Sequence, residues 1–337
     1  MKIQNALHKI LQGQGLSEEE MMGAMDEIME GEAGEASIAA FLTALRMKGE
    51  TVAEIVGAAK AMRRKAESLD IAADPVVDTC GTGGDRSGTF NISTTSAFVV
   101  AGAGIAVAKH GNRAVSSASG SADVLRCLGV NIEADLATVK RCVEQAGIGF
   151  LFAPVMHKAM KHAAIVRRQL GFRTIFNLLG PLTNPAGAHA QVVGVYDDQW
   201  TTPIAQALKE LGCRRALVVH GEDGLDEITL TDRTRVSELK DGKIREYAIA
   251  PEEFGLQRCL AEELQGGIPE ENAVLTRDLL KGQAGAKRDI VLLNASAGIV
   301  VSGKADSLEQ GLELARRSLD SGAAYRKLQD LVQISNS

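Results

Sequence analysis

The 337-residue sequence predicts an α/β protein, with a small N-terminal helical domain ahead of a larger α/β domain built on a mainly parallel sheet. Three observations lead there. Apolar residues recur at helical spacing through the first seventy or so positions. After the stretch DIAADP (70–75), short apolar runs alternate with helical segments, the pattern of parallel strands covered on both faces. Thirty-five glycines accompany only 7 prolines, an excess that asks for a local reason, which glycine-rich loops between the elements supply.

The elements follow in order. Ser17 and Glu20 form a capping-box pattern ahead of Met22, Met25, Ile28 and Met29 on one helical face. Ser37 can cap a helix carrying Ile38, Phe41, Leu42 and Leu45. Thr51 and Glu54 repeat the capping box before Ile55, Ala58, Ala59 and Met62. This methionine-rich stripe reads as helix packing, part of it available to a subunit interface. Beyond Pro75 the predicted strands are 76–77, 105–108, 148–152, 192–196 and 216–220. The predicted helices start near Thr94 and Ser121 and cover 135–147 and 202–211. Residues 229–247 read as extended segments joined at Asp241-Gly242. From Glu270 onward the pattern is helical, with Ser307 opening a helix that carries Leu308, Leu312 and Leu319. Residues 158–182 are helical in pattern. The domains expected are 1–72, helical, and 73–337, α/β. There are no repeats.

The bulk chemistry excludes several classes. A net charge of -6 argues against a general nucleic-acid or anionic-membrane surface. The five cysteines, Cys80, Cys127, Cys142, Cys213 and Cys259, are odd in number, scattered and without a C-x-x-C pair, so reduced thiols are expected and not a disulfide framework or zinc site. The N-terminus has no apolar run of signal-peptide length, and no apolar stretch is long enough to span a bilayer. A cytoplasmic protein is expected.

Chemistry gathers in a few segments. DTCGTGGD (78–85) follows a predicted strand and precedes a helix; three glycines within four residues can aim several N–H groups at one phosphate, although such a turn can also be a plain strand-to-helix connection. NIST (91–94) puts an amide and two hydroxyls at the next helix start, where they can cap it or contact phosphate or a hydrated metal. KHGNR (109–113) directly follows an apolar run, and in open α/β sheets ligands collect at the carboxyl ends of strands. VSSASGS (115–121) adds four hydroxyls.

GTGGD, NIST, KHGNR and SGSADVL, in this order and spacing, resemble the anthranilate phosphoribosyltransferases. The likeness continues through FAPVMHKAMKHAAIVRRQLGFRTIFNLLGPLTNP and HGEDGLDE and covers most of the chain. The first motifs are shared with related nucleoside phosphorylases; NLLGPLTNP with LDE is more specific.

The resemblance implies transfer of the phosphoribosyl group of phosphoribosyl pyrophosphate to the amine of anthranilate, in tryptophan biosynthesis, by a Mg2+-dependent homodimer with its site between two domains. Part of 158–187 would join the helical domain. Phosphoribosyl pyrophosphate would be held by Gly81, Gly84, Asp85, Thr89, Asn91, Ile92, Ser93, Thr94, Lys109, His110, Gly111, Asn112, Arg113, Ala114, Val115, Ser116, Ser117 and Ser121. Gly81, Asn112 and Arg167 match the anthranilate positions, Lys109 and Arg167 the catalytic ones, and Ser93, Asp226 and Glu227 the Mg2+ ligands. Ala118 and Lys158 depart from the family pattern, where lysine and proline are common. The residue chemistry agrees: adjacent carboxylates on a loop suit Mg2+, and an arginine suits a planar carboxylate. His157 can line the aromatic pocket or serve the core. Competing readings are a pyrimidine nucleoside phosphorylase and a non-catalytic nucleic-acid-binding relative.

Overall fold

The computed structural model describes residues 1–114 and 118–337. Four helices open the chain: α1 (Lys2–Leu11), α2 (Glu18–Met29), α3 (Glu35–Lys48) and α4 (Val52–Lys65). Both capping boxes form. Ser17 accepts from Glu20 N while Glu20 returns to Ser17 N, and Thr51 and Glu54 do the same. Ser37 is not a cap: α3 starts at Glu35 behind Gly34, whose lack of a side chain gives no local polar signal. The apolar face of α2 is built on Met21, Met25, Ile28 and Met29, with Met22 half-buried at its margin.

The α/β part runs β1 (Val76–Gly81), α5 (Ile92–Gly102), β2 (Ala106–Gly111), α6 (Ser121–Cys127), α7 (Leu136–Arg141) and β3 (Ile148–Phe152). Asp135 caps α7, whose last turn widens over Cys142–Ala146 before Gly147 ends it in the left-handed region. Then come α8 (Ala153–Met156), α9 (Lys161–Leu170), α10 (Phe176–Leu179), β4 (Ala190–Gly194), α11 (Thr201–Glu210), β5 (Arg215–Gly221), β6 (Thr234–Lys240) and β7 (Lys243–Ile249). Four helices close the chain: α12 (Pro269–Leu280), α13 (Ala286–Val301), α14 (Leu308–Asp320) and α15 (Ala323–Ser335). Residues 158–182, read as one helical pattern, are separate helical pieces, because Gly171 turns left-handed after α9. Among the described residues no helix is long and apolar enough to cross a membrane.

The seven strands lie in the order β3-β2-β1-β4-β5-β6-β7. The first five are parallel, and β6 and β7 form an antiparallel hairpin edge. Successive strand residues serve opposite faces, so runs such as Val192-Val193 feed two cores. Val192, Leu217 and Val219 pack with α5, α13, α14 and α15; Val193, Val195, Ala216 and Val218 pack with the side that holds α11 and the N-terminal helices. Helix α5 is buried on nearly every side, which explains why its second half, residues 97–101, is uniformly apolar. Helix α9 packs on α2 and α3. Arg63 of α4 reaches across, donating to the carbonyls of Leu182 at 2.7 Å and Leu211 at 3.0 Å.

Glu54 ties three helical segments together. Wholly buried, it accepts from Leu16 N at 2.9 Å, Thr51 N at 2.7 Å and Lys48 Nζ at 2.9 Å. Glu54→Ala strands two amides and an ammonium, and urea unfolding is expected to show a loss of roughly 3–5 kcal/mol. A loss below about 1 kcal/mol would mean that water replaces the carboxylate without penalty.

Candidate active site at the carboxyl edge of the sheet

The parallel strands β1, β2, β4 and β5 all end in glycine, at 81, 111, 194 and 221. At 81, 194 and 221 the reason is a crossing, the 222–229 segment lying over those strand ends, while a Cβ on Gly111 would meet Ser121 Oγ and the Phe150 ring. A Cβ on Gly194 would sit 1.5 Å from the Asp226 carbonyl oxygen, and one on Gly81 would sit 2.6 Å from Asp226 Oδ2. Helix α13 holds this segment from behind. Asn294, buried, accepts from Ile228 N at 2.9 Å and donates to Ile228 O at 2.8 Å. Asp226 and Glu227 therefore reach the edge on a fixed backbone.

Beside them the chain leaves β1 as the glycine loop. Gly83 and Gly84 take positive φ, +66° and +76°, which only glycine adopts freely. Gly83 N donates to Asp226 Oδ2 at 2.8 Å. The N–H groups of Gly84 and Asp85 meet no acceptor among the described residues. Helix α5 then starts beneath the loop. Ser93 N, in its first turn, donates to Glu227 Oε1 at 3.1 Å.

Lys109, near the end of β2, is buried, and its ammonium donates to Thr79 O and to Ser93 Oγ at 3.3 Å. It is the most fully buried lysine or arginine among the described residues, and the carboxyls of Asp78 and Glu227 face it. Burial pushes Asp78 up to about 6 and Glu227 up to about 7, with Lys109 opposing both shifts. Burial and then the neighbouring Asp85 carboxylate drive Asp226 well above the carboxylate range. Negative charge is thus under-compensated here, as suits a place for a further cation. Among the described residues no three His, Cys, Asp or Glu side chains form a ready cage. Mg2+ does not need one, since it keeps several waters and bridges substrate phosphates.

The other predicted phosphate-side residues fall around this edge. Thr89 bridges to Gln265 and contacts Ser87 Oγ at 3.3 Å. Asn91 is occupied: it donates to Ser119 O and accepts from Ser119 Oγ and Asn272 Nδ2. Ile92 and Thr94 are buried in α5, Ile92 as core. After Gly111 the loop is gathered by Asp123, which accepts from Ala114 N at 2.9 Å and Gly120 N at 3.1 Å. Ser121 Oγ donates to Asn112 O at 3.2 Å, and Arg113, exposed, sits over Phe152 and pairs with Glu133 at 3.3 Å. Val115, Ser116 and Ser117 lie outside the described residues.

His110 turns the other way. Its Nδ1 lies 3.1 Å from the Gly180 carbonyl, and its ring centroid is 5.1 Å from that of His157. With the ring proton on Nδ1, Nε2 is an acceptor; the Nε2 atoms of both histidines are buried without a partner. The NLLGPLTNP segment is anchored below them by Asn184, which donates to Asp78 Oδ2 at 2.7 Å and Ala108 O at 2.8 Å. Arg167, on α9, has its guanidinium 5.1 Å from the Phe176 ring centroid, and burial lowers its pKa. Among the described residues no carboxylate lies within ion-pair distance of it. Cys80 is buried behind the loop; burial drives its thiol far up, so it is no nucleophile.

Sequence reasoning missed Asn184, Gly194, Asn294 and Arg173, whose guanidinium meets the Gly84 carbonyl. Each acts on a partner tens of residues away; Asn184 and Arg173 lie within the long run that drew attention, but nothing local in it marks either role.

Residues 4–66 match the glycosyl transferase family helical bundle domain, and residues 73–325 match the glycosyl transferase family a/b domain. Fold and site thus define a two-domain glycosyl transferase. Relatives at full length narrow this. The chain is 57% identical over 330 residues to an anthranilate phosphoribosyltransferase of Anaeromyxobacter sp. strain K, covering 98% of each chain. It is 52% identical over 335 residues to that of Acetivibrio thermocellus, covering 99% of this chain and 97% of the relative. The crystal structure of the Thermus thermophilus enzyme superposes with a TM-score of 0.94 at 50% identity, covering 98% of this chain and 99% of that one. The Saccharomyces cerevisiae enzyme in complex with PRPP and Mg gives 0.91 at 28% identity, covering 99% and 98%. The chain belongs to the anthranilate phosphoribosyltransferase family.

Burial depresses His110 from 6.5 to about 3 and His157 to about 4. A base with a lowered folded pKa contributes stability that is present above its free value and lost as pH falls toward the folded one. Both rings should therefore be neutral at pH 7 and weaken the fold as pH drops from about 6.5 to 4. Asp78 acts in the opposite sense, its contribution fading as pH rises through about 6. In ring-proton NMR neither histidine is expected to titrate above pH 5; a midpoint near 6 for either would contradict its burial.

Proposed function

We propose that the chain transfers the phosphoribosyl group of phosphoribosyl pyrophosphate to the amine of anthranilate, giving N-(5-phosphoribosyl)anthranilate and pyrophosphate, a step of tryptophan biosynthesis. The observation that carries this reading is that the described residues leave two unlike sets of polar groups unsatisfied. One has free loop amides, the Lys109 ammonium and a carboxylate pair. The other has Arg167 without an acid partner and two neutral imidazoles.

The amides of Gly84 and Asp85 bind the diphosphate, the buried Lys109 ammonium adds positive charge to the site, and Thr89, Asn91 and the 112–121 loop place the rest of that substrate. Asp226 and Glu227, with the Ser93 hydroxyl, would hold Mg2+, which when bound supplies positive charge against the diphosphate and relieves the crowding of the carboxylates. Arg167 takes the anthranilate carboxylate, a planar partner for its fork. The amine of anthranilate is a weak nucleophile because its lone pair is delocalised into the ring. Cleavage of the ribosyl–diphosphate bond therefore leads, and stabilisation of the departing anion is the main work of the site. Holding the amine at the ribosyl carbon supplies the remainder by proximity. No covalent intermediate is needed.

The domain boundary we infer falls at 72/73: residues 1–72, joined by part of 158–187, form the helical domain, and 73–337 form the α/β domain that binds phosphoribosyl pyrophosphate, with the site between them. Packing of α9 on α2 and α3 supports this division. The assembly we infer is a homodimer, favoured by the exposure of Leu11, Met47 and Ile165 on α1, α3 and α9. We place it in the cytoplasm. The acidic net charge disfavours a nucleic-acid partner.

Mixed with anthranilate, phosphoribosyl pyrophosphate and Mg2+, the protein should deplete anthranilate fluorescence; chelation should stop it, and thymidine or uridine with phosphate should not react. Asp226→Asn with Glu227→Gln should raise the Mg2+ requirement without unfolding the chain. Nucleoside phosphorolysis without anthranilate turnover would overturn the reading.

Arg167→Ala should raise the anthranilate KM about ten- to hundredfold, the loss of a charge-assisted bidentate contact of roughly 1.5–3 kcal/mol. The assignment of Arg167 fails if only the phosphoribosyl pyrophosphate KM moves.

A further inference from the structure

Arg173 stands in the short link between α9 and α10, two residues past Gly171. Its guanidinium donates to the Gly84 carbonyl, in the middle of the glycine loop 89 residues earlier. It also stacks on the Tyr196 ring, with 4.0 Å from the guanidinium carbon to the ring centroid. Tyr196 is buried just past the end of β4 and grips the same loop through its backbone, donating from its N–H to Thr82 Oγ1 at 3.1 Å. Thr82 N in turn donates to Gly194 O at 2.9 Å. Ring, guanidinium and loop form one stack. The guanidinium lies close over the loop: a Cβ on Gly84 would be in van der Waals contact with Arg173 Nε at 3.4 Å. Among the described residues no carboxylate pairs with Arg173, so its planar fork is committed to a carbonyl and a ring.

A trans peptide is planar, with its C=O and the following N–H pointing in opposite directions. Drawing the Gly84 carbonyl toward Arg173 therefore turns the Asp85 N–H away from Arg173. That N–H is one of the two loop amides without an acceptor among the described residues. Since Gly84 sits at φ +76°, its ψ is otherwise free to rotate this peptide.

We infer that Arg173 is a positioning residue that fixes the Gly84–Asp85 peptide so that the Asp85 N–H is presented to the diphosphate of phosphoribosyl pyrophosphate. The inference rests on the function proposed above. The tyrosine stack makes the role one of planar geometry, so a lysine, which keeps the charge and loses the stacked fork, cannot fill it.

Arg173→Lys and Arg173→Gln separate the possibilities. Affinity for phosphoribosyl pyrophosphate with Mg2+ is measured by calorimetry without anthranilate, and anthranilate affinity alone by its fluorescence. Both variants should bind phosphoribosyl pyrophosphate about tenfold more weakly, with anthranilate affinity and melting temperature unchanged. If the lysine variant binds like the parent, charge and not geometry is what counts, and the inference is wrong. If both variants bind like the parent, Arg173 has no role in the loop, and the inference is again wrong. Equal weakening for both substrates would show a general structural role and would overturn it too. A parent protein that fails to bind phosphoribosyl pyrophosphate would overturn the functional reading itself, an outcome distinct from all of these.

Discussion

The Lys109 ammonium is shut inside the protein at the end of β2, and the layout of the sheet edge follows from keeping it there. Desolvating an ammonium is costly unless acceptors and counter-charge come with it. The Thr79 carbonyl and Ser93 hydroxyl supply the acceptors, and Asp78 and Glu227 the charge. Each of these groups has a second duty. Asp78 accepts from His110 N and Asn184, so the same carboxyl that faces Lys109 pins β2 and the 180–185 segment to β1. Glu227 accepts from Ser93 N and so joins the acidic segment to α5. Removing the ammonium would leave these carboxyls without their nearest positive charge.

The second constraint is space. Asp226 reaches the glycine loop and Glu227 the ammonium only because their backbone passes close over the strand ends, where any Cβ at 81 or 194 would collide. Glycine at these positions is a matter of clearance, while at 83 and 84 it is a matter of φ. The same residue type thus answers two physical demands within one edge, and composition alone cannot tell them apart.

What the sequence discloses is governed by how local each determinant is. The two capping boxes are decided within four residues, and Ser17 and Thr51 cap their helices as their spacing predicts. The start of α3 depends on packing, and there the serine at 37 is a false signal. The apolar runs predict strands that stop near Val77 and Ala108, yet β1 continues to Gly81 and β2 to Gly111. Apolarity ends where the site begins, because the last strand residues carry Asp78, Lys109 and His110. The motifs mark the phosphate edge for the same reason: polar residues interrupting buried strands need partners there, and so draw attention. Asn294 and Arg173 give no such signal. Each lies in an ordinary-looking helix or link and finds its partner 66 or 89 residues away.

The edge is therefore assembled against the preferences of a stable fold. Asp78 and Glu227 share one ammonium while Asp226 lies against Asp85 and Glu227, two imidazoles are buried with an acceptor nitrogen idle, and two loop amides face no acceptor among the described residues. Each raises the energy of the empty protein. Each deficit also has a sign, and the signs are segregated. The amides lack an anion, the carboxyls lack a cation, and Arg167 lacks a carboxylate. A polyanion with its metal and a small aromatic acid would satisfy all three together, so the stability forgone in the empty state reappears as binding free energy for that particular set. A protein built only to fold would have closed these gaps with its own side chains. That they stay open, on a backbone held by Asn184, Asn294 and Glu227, is how this sequence separates its scaffold from its site.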